Sequence, residues 1–387
     1  MSITKIPGVY YDENVEYELQ NIGAKIPVII GKTGNSAATG YKIDGTQINK
    51  FNGWDEVNRT IANGGIGTDT TTNPVLAFLE KFFEESAPKY SGDLSVPYVY
   101  VIDVGDGTTK TSWTNALATA KTMPEATVEA YINADNITDY TLAAFIAGAD
   151  ASIKTETHNL NLRTGFITKP SGTDADLIAL NPSSGGILSS RMFICEPLEF
   201  GKCVARFCCT PYYVEPGYLE YRTVTPGTFK KRTKAEELAL QNAGIIFSHD
   251  ETVDTDVYVR INLSTSTAFA SAKKPADALG HARFNADHLL REIFKAIYPQ
   301  VKDNETASAI VKKQTKVDAI IDAEVEAERI IKYDPDTGEG TRLVLIESNA
   351  EPYDMELGGQ IQGVNCTAAI NVKAKLKNPT LISVVGL

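Results

Sequence analysis

The stretch "PVLAFLEKFFEESAPKYSGDLSVPYVYVID", residues 74–103, predicts a helix that leads into a buried strand. Pro74 follows a segment rich in Thr and Asn and suits the first turn of a helix, where the backbone N–H has no helical partner to lose. The closing run "YVYVID" is rich in aromatic and β-branched residues, which favours a strand. The apolar residues that recur at helical spacing, and so predict one buried helix face, are Val75, Leu76, Leu79, Phe82 and Phe83.

The same alternation of helix and strand extends to both sides of this stretch. Before it, "IPVII" at residues 26–30 predicts a short buried strand, and after it the two patterns alternate as far as "SRMFICEP" at residues 190–197. Such alternation predicts an α/β layer in which helices pack on a sheet. A turn-rich segment follows at residues 210–230, so we expect the α/β domain to span residues 23–235.

The C-terminal third has a different character. A helix runs into a strand at residues 234–251, two long helical patterns follow, and "TRLVLIE" at residues 341–347 predicts a further strand. We therefore expect an α+β domain over residues 236–364. The apolar stripe of the first long helix consists of Leu279, Ala282, Ala286, Leu289, Leu290, Ile293, Phe294 and Ile297.

Both ends of the chain alternate between apolar and charged residues, which predicts two half-buried strands. The polar face is acidic in the N-terminal strand and basic in the C-terminal strand. We assign these strands to two terminal segments, residues 1–22 and 365–387. The residues concerned are Val15, Glu16, Tyr17, Glu18 and Leu19 in the first strand and Ile370, Val372, Lys373, Lys375 and Lys377 in the second.

This opposite charge favours pairing of the two strands, either with each other or with their equivalents in another copy. Opposite charges directly across two strands contribute roughly 0.2–1 kcal/mol per pair, and like charges repel. The lysines have an alternative explanation, because lysine on an edge strand also discourages stray pairing.

The composition is typical of a globular protein with a net negative charge. The 387 residues carry a net charge of −12 and the basic residues are scattered, which disfavours a nucleic-acid partner because phosphate binding relies on clustered Lys and Arg. The first residues lack the basic start and apolar core of a targeting peptide. No apolar run approaches the roughly 18 residues that span a bilayer, so we expect no direct membrane insertion.

Motifs for chemistry are incomplete, so we predict no catalytic, cofactor-binding or metal-binding residues. "GKTGN" at residues 31–35 has Ile26 where a phosphate loop needs glycine. "DPDTGEG" at residues 334–340 lacks the glycine and glutamate of a calcium loop, and a turn is expected instead. His281 and His288 lie seven residues apart on the long helix, roughly 10 Å, and are expected in solvated or capping roles. Cys208 and Cys209 are expected on a strand, as buried reduced thiols.

Several short motifs, in this order and spacing, resemble the contractile tail sheath proteins of contractile phage tails and related injection particles. "PGVY" lies within the first ten residues, and an acidic segment and the strand-to-glycine run "PVIIGKTGN" follow it. Over the last 150 or so residues the similar motifs are "LALQNAGIIF", "HARFNADHLLREIFKAI", the helix start "DNET" and "GGQIQGVNCTAAINVKAKLKNP".

This resemblance implies a tail-sheath-like fold with an outer α/β domain and an inner α+β domain, whose N- and C-terminal strands are exchanged between subunits. It implies a homo-oligomer of stacked rings around a tail tube protein, bounded by baseplate and tail terminator proteins and assembled in the host cytoplasm. Contact with the tube is expected from Arg283, Arg291 and Lys295 on the long helix. The alternatives are another self-assembling tail or shell component, such as a tube or baseplate protein, and an α/β enzyme.

Overall fold

The computed structural model divides the chain into two compact units, with the division between Arg283 and Phe284. The division falls within a single helix, Gly280–Ile297. The structure describes residues 25–33, 45–62, 73–88, 93–158, 162–170, 172–180, 188–217, 221, 230–253, 256–261, 265–269, 279–297, 307–347, 355–364 and 370–376.

The unit that ends at Arg283 is built on a sheet to which seven strands contribute within the described residues. Their order is β2-β3-β1-β4-β5-β6-β7; β2 runs antiparallel to β3, and every other neighbouring pair is parallel. A two-stranded antiparallel pair, β8 and β9, follows. The strands are β1 (Ile26–Gly31), β2 (Ile48–Phe51), β3 (Val99–Asp103), β4 (Ala126–Tyr131), β5 (Thr164–Ile167), β6 (Met192–Cys195), β7 (Ile245–Ile246), β8 (Ser248–Val253) and β9 (Asp256–Ile261).

Helices connect the parallel strands, as the sequence predicts. Strands β1, β4, β5 and β6 are buried along their whole length, which is typical of a parallel sheet covered on both faces. The helices are α1 (Trp54–Ala62), α2 (Pro74–Glu85), α3 (Lys110–Ala120), α4 (Leu142–His158), α5 (Asp174–Ala179), α6 (Phe200–Cys209) and α7 (Lys234–Asn242).

The helix predicted from Pro74 is confirmed. Helix α2 has Pro74 in its first turn, and the side chain of Asn73 caps it by accepting a hydrogen bond of 2.9 Å from the backbone N–H of Leu76. Val75, Leu76, Leu79 and Phe82 are buried, whereas Phe83 is only half-buried. The following strand, Val99–Asp103, lies where "YVYVID" predicts it.

The compact unit extends further than the expected boundary after residue 235. The reason is β7, which pairs in parallel with β6 through Ile194↔Ile245 and Cys195↔Ile246. Helix α7 and this strand therefore continue the α/β sheet rather than open a new domain. The sequence predicts a strand after helix α7 but not its pairing with β6, because the two segments are distant in the sequence.

The expectation that Cys208 and Cys209 lie on a strand is wrong. Both belong to α6, a helix in which every residue is buried, including Lys202 and Arg206. Phe200, Cys203, Val204, Phe207 and Cys208 recur at the i, i+3, i+4, i+7, i+8 spacing of a helix, a signal that the two adjacent cysteines do not show by themselves. The thiols are buried as expected, and burial raises the pKa of Cys209 to about 12.

The unit that includes Phe284 and the residues after it is α+β. An antiparallel sheet has the order β10-β11-β12, and two long helices precede it. Leu343, Leu345, Leu357 and Ile361 form its buried face, and Val317 and Ile321 are buried on the second helix. The elements are α8 (Gly280–Ile297, which begins in the first unit), α9 (Ala307–Glu326), β10 (Arg342–Glu347), β11 (Met355–Ile361) and β12 (Ile370–Leu376).

The solvated roles expected for His281 and His288 are wrong, because both side chains are buried. His281 is 3% exposed and its Nδ1 lies beside Oε2 of Glu215. His288 is 8% exposed, and its Nε2 lies 4.0 Å from Oε1 of Glu324. Each imidazole faces a carboxylate at a buried position, where an unpaired polar group would be costly.

Candidate assembly site

The small sheet has three strands within the described residues, and their register fixes which residues lie opposite each other. Strands β10 and β11 pair from Arg342↔Gln360 to Glu347↔Met355, and β11 and β12 pair from Met355↔Leu376 to Ile361↔Ile370. Both ladders are continuous and antiparallel. This small sheet is the candidate site because the resemblance implies that terminal strands join such a sheet.

Two adjacent glycines in β11 have different environments. Gly359 has φ +152°, and a Cβ there would collide with the carbonyl oxygen of Arg342 on β10. A Cβ at Gly358 would have no atom within 4 Å. The close approach of β10 and β11 therefore requires glycine at position 359 and not at position 358.

A short segment after α9 is tied to the end of β11 by backbone hydrogen bonds. The N–H of Ile331 donates to the carbonyl oxygen of Gln362 at 2.9 Å. The carbonyl oxygen of Ile331 accepts a hydrogen bond of 2.8 Å from the N–H of Thr341. The side chain of Gln362 accepts from the N–H of Gly340 at 2.8 Å. These bonds hold the start of β10 beside the end of β11.

The loop "DPDTGEG" forms a turn, as predicted. The N–H of Asp334 donates to the carbonyl oxygen of Glu339 and the N–H of Gly338 donates to that of Asp334, both at 2.8 Å. The carboxylate of Asp334 accepts from the N–H of Asp336 at 2.9 Å, which lowers the pKa of Asp334. The carboxylate thus stabilises the turn itself.

Helix α9 contacts the backbone of β10 through one side chain. The Nε2 group of Gln314 donates to the carbonyl oxygen of Leu343 at 3.0 Å, and its Oε1 accepts from the N–H of Leu345 at 2.9 Å. Nε2 also lies 2.8 Å from Oδ1 of Asp318, one turn along the helix. The amide of Gln314 therefore contacts β10 in the way that a neighbouring strand would.

The predicted C-terminal strand is present and pairs within its own chain. Strand β12 covers Ile370–Leu376, and the register places Lys375 opposite Glu356 and Lys373 opposite Gly358 of β11. Lys377 lies outside the described residues, as does the whole predicted N-terminal strand. Exchange between subunits stays a prediction. The N-terminal residues concerned are Val15, Glu16, Tyr17, Glu18 and Leu19.

The three basic residues predicted to contact a tube all lie on α8. Lys295 is exposed, and its Nζ lies 3.3 Å from Oε1 of Glu292. Arg291 is half-buried one turn before it, and Arg283 is half-buried two turns before Arg291. Lys295 is therefore the most accessible of the three, and tube contact stays a prediction.

Sequence reasoning missed several buried ion pairs in the α/β unit. Arg163, fully buried, lies 2.9 Å from Oε1 of Glu129, and the hydroxyl of Tyr131 donates to Oε2 of Glu129 at 2.7 Å. Arg163 also donates to the carbonyl oxygen of Ala120 at 2.7 Å. No local pattern distinguishes these charged residues from exposed ones, because their partners are distant in sequence.

A second buried group surrounds α6. Arg206 donates to both carboxylate oxygens of Asp93, at 3.0 and 2.9 Å. Lys25, just before β1, donates from Nζ to the carbonyl oxygens of Phe207 (2.8 Å) and Thr210 (2.5 Å). Burial lowers the pKa of Lys25 from 10.5 to about 8. These contacts position the C-terminal end of α6, and they are structural.

Within the described parts of the chain, no group of three or more His, Cys, Asp or Glu side chains is placed to hold a metal ion. None of the helices in those ranges is both long enough and apolar enough to cross a bilayer.

No protein-family model and no curated protein matches the sequence, whereas solved structures do. The sheath tail protein from Desulfitobacterium hafniense matches with a TM-score of 0.62 at 10% identity, over 92% of this chain and 97% of that one. The sheath tail protein from Listeria innocua matches with a TM-score of 0.62 at 9% identity, over 96% and 99%. The helical sheath of the anti-feeding prophage in its contracted state matches with a TM-score of 0.60 at 13% identity, over 97% of each chain.

The chain therefore has the fold of tail sheath proteins. At the level of the fold, this confirms the resemblance that the short sequence motifs suggest. The likeness covers both compact units, because each match extends over more than nine-tenths of the chain.

Proposed function

We propose that this chain is the structural subunit of a contractile tail sheath, which polymerises around a tail tube and contracts to drive that tube through a cell envelope. The observation that carries the proposal is the fold likeness over at least 92% of the chain. One of the matching structures is a sheath assembled as a helix in the contracted state. The particle would be a virion or an injection particle, assembled in the host cytoplasm.

Subunits would be linked by exchange of their terminal strands. An added strand binds mainly through its main-chain hydrogen bonds, and side chains on alternate positions set its register. The acidic strand that contains Glu16 and Glu18 suits a sheet whose last strand contains Lys373 and Lys375, since opposite charges on adjacent strands attract.

The two units would have different places in the particle. The α/β unit would face outward, and the α+β unit would lie toward the tube, where Lys295 and the neighbouring Arg291 are its predicted contacts. The tail tube protein, the baseplate and the tail terminator would be the partners of the assembled cylinder.

The work of such a subunit is mechanical rather than catalytic. Contraction would move subunits as rigid bodies between two arrangements of their interfaces, while the exchanged strands keep neighbours connected. The free energy released would come from the difference between the two lattices, so the mechanism needs neither a cofactor nor a metal.

Electron microscopy of the purified protein tests the proposal, with the protein alone and mixed with a tail tube protein. Hollow cylinders of stacked rings, wide enough to enclose a tube, are expected. Narrow tubes or single discs would favour a tube or baseplate component instead. A chain that stays monomeric under both conditions would overturn the proposal, and a thermal-shift panel of nucleotides and metals would then test the enzyme alternative.

A further inference from the structure

Among the described residues, β10 and β12 are the outer strands of the small sheet, and a side chain bonds the outer backbone groups of β10. In an antiparallel sheet the N–H and C=O groups of one residue point to the same side, and successive residues alternate between the two sides. Gln314 bonds the carbonyl oxygen of Leu343 and the N–H of Leu345. The backbone groups of these two residues therefore point away from β11, and those of Arg342, Val344 and Ile346 point toward it.

Because the register is continuous, the direction of the backbone groups in β10 also determines their direction in β11 and β12. Leu357 and Gly359 lie opposite Leu345 and Leu343, so their backbone groups point toward β12. In β12 the groups of Val372 and Ala374 accordingly pair with β11. The groups that point outward from β12 are those of Asn371, Lys373 and Lys375.

We propose that Gln314 is an edge cap, which blocks strand addition beside β10 and so confines it to the β12 side of the sheet. The bound strand would belong to a second copy of this chain, and the inference rests on the proposed sheath function. An uncapped edge is a template for pairing with any extended segment. An amide side chain is suited to this role because, like a peptide group, it offers N–H donors and a carbonyl acceptor on neighbouring atoms.

The position of Gln314 on α9 supports this role. Lys313, Val317 and Ile321 form the buried face of the helix, and Gln314 lies at the border of that face, half-buried. Its contact with Asp318 at 2.8 Å fixes the orientation of the amide. A side chain held in this way loses little further freedom when it covers the edge.

Hydrogen exchange on the isolated chain tests the cap directly. In Gln314→Ala, exchange of the Leu345 amide should become about tenfold faster, as expected for loss of one hydrogen bond. The Leu357 amide, within the sheet, should keep its protection and so report that the fold is intact. Lys312→Ala, an exposed change on the same helix, is the matched control, and Gln314→Met covers the case in which alanine leaves a void.

Sedimentation of the same variants tests the direction of strand addition. At concentrations where the unaltered chain is monomeric, Gln314→Ala and Gln314→Met should form additional dimers, and Lys312→Ala should not. Unchanged exchange at Leu345, or faster exchange without any change in association, would overturn the proposal. Hydrogen exchange and sedimentation both use the unassembled chain. A failure to form cylinders would therefore count against the proposed sheath function, whereas these two measurements would still test the role of Gln314.

Discussion

The Nζ of Lys25 donates a hydrogen bond of 2.8 Å to the carbonyl oxygen of Phe207, which lies 182 residues further along the chain. A second bond to Thr210 places the ammonium group at the C-terminal end of α6. The N–H groups of the amine satisfy carbonyl groups that have no helical partner, while burial disfavours the charged form of the side chain. The contact therefore joins the residue just before strand β1 to the end of helix α6.

Lys25→Met should destabilise the chain, and more so at high pH. The pKa of Lys25 is lowered to about 8 in the folded state, so between about pH 8 and 10.5 the unfolded state binds more protons and stability from this group rises with pH. Methionine does not titrate. The difference in unfolding free energy between the two chains should therefore grow by about 2 kcal/mol from pH 7.5 to pH 10, as measured by urea unfolding. A difference that shrinks with pH would contradict the assignment.

Arg163→Met should destabilise the α/β unit by about 3–5 kcal/mol, because it leaves Glu129 buried without its cation. Changing Glu129→Gln in the same chain should recover part of that loss. Urea unfolding followed by circular dichroism measures both effects. Lys169→Met is the matched control, since both partners of its ion pair with Asp176 are partly exposed (30% and 42%) and its loss should change stability by less than about 0.5 kcal/mol. Equal effects at the two sites would refute the burial argument.

Gly359→Ala and Gly358→Ala should differ although the residues are neighbours. A methyl group at position 359 meets the carbonyl oxygen of Arg342 and requires a strained φ, so a loss of about 1–3 kcal/mol is expected. At position 358 there is open space, and alanine should be neutral or slightly stabilising. Thermal unfolding measures the stability of the two variants. If Gly359→Ala is as stable as Gly358→Ala, the register between β10 and β11 is different from the one described.

Reversal of Glu16 and Glu18 to lysine should block assembly and leave the folded monomer intact. The expectation follows from repulsion between the altered strand and Lys373 and Lys375. Electron microscopy reports cylinders, and circular dichroism reports the fold. Reversing Asp12 and Glu13, which precede the strand, is the control. Adding Lys373→Glu and Lys375→Glu to the variant that carries Glu16→Lys and Glu18→Lys should restore cylinders. If that first variant forms normal cylinders by itself, charge attraction does not contribute to strand exchange.

The sequence predicts the elements with strong periodicity and fails where the deciding contact is distant. Pro74 and the apolar residues behind it give the correct helix, and the alternation in residues 370–376 gives the correct strand. The boundary after residue 235 differs from the structure because β7 pairs with β6, a contact between segments that are distant in the sequence. The burial of His281 depends on Glu215, which no local spacing indicates.

The candidate site shows the same limit. A glutamine on a helix such as α9 is an ordinary surface residue by its type, and only the pairing of Gln314 with Leu343 and Leu345 gives it a role. Conversely, the charge pattern of the chain ends is visible in the sequence, whereas its outcome depends on a second copy of the chain.

If the chain polymerises as proposed, the pairing of β12 with its own β11 has a consequence for when assembly begins. If the strand exchanges, the ladder lost within one molecule is replaced by an identical ladder in the next, so the bonds themselves favour neither state. The effective concentration of the strand then determines which pairing forms. The β12 strand of the same molecule is tethered beside β11, so it binds there in preference to the β12 strand of another molecule in dilute solution. Newly made subunits would thus remain self-closed and soluble, and would open only where a growing end holds the next copy in place.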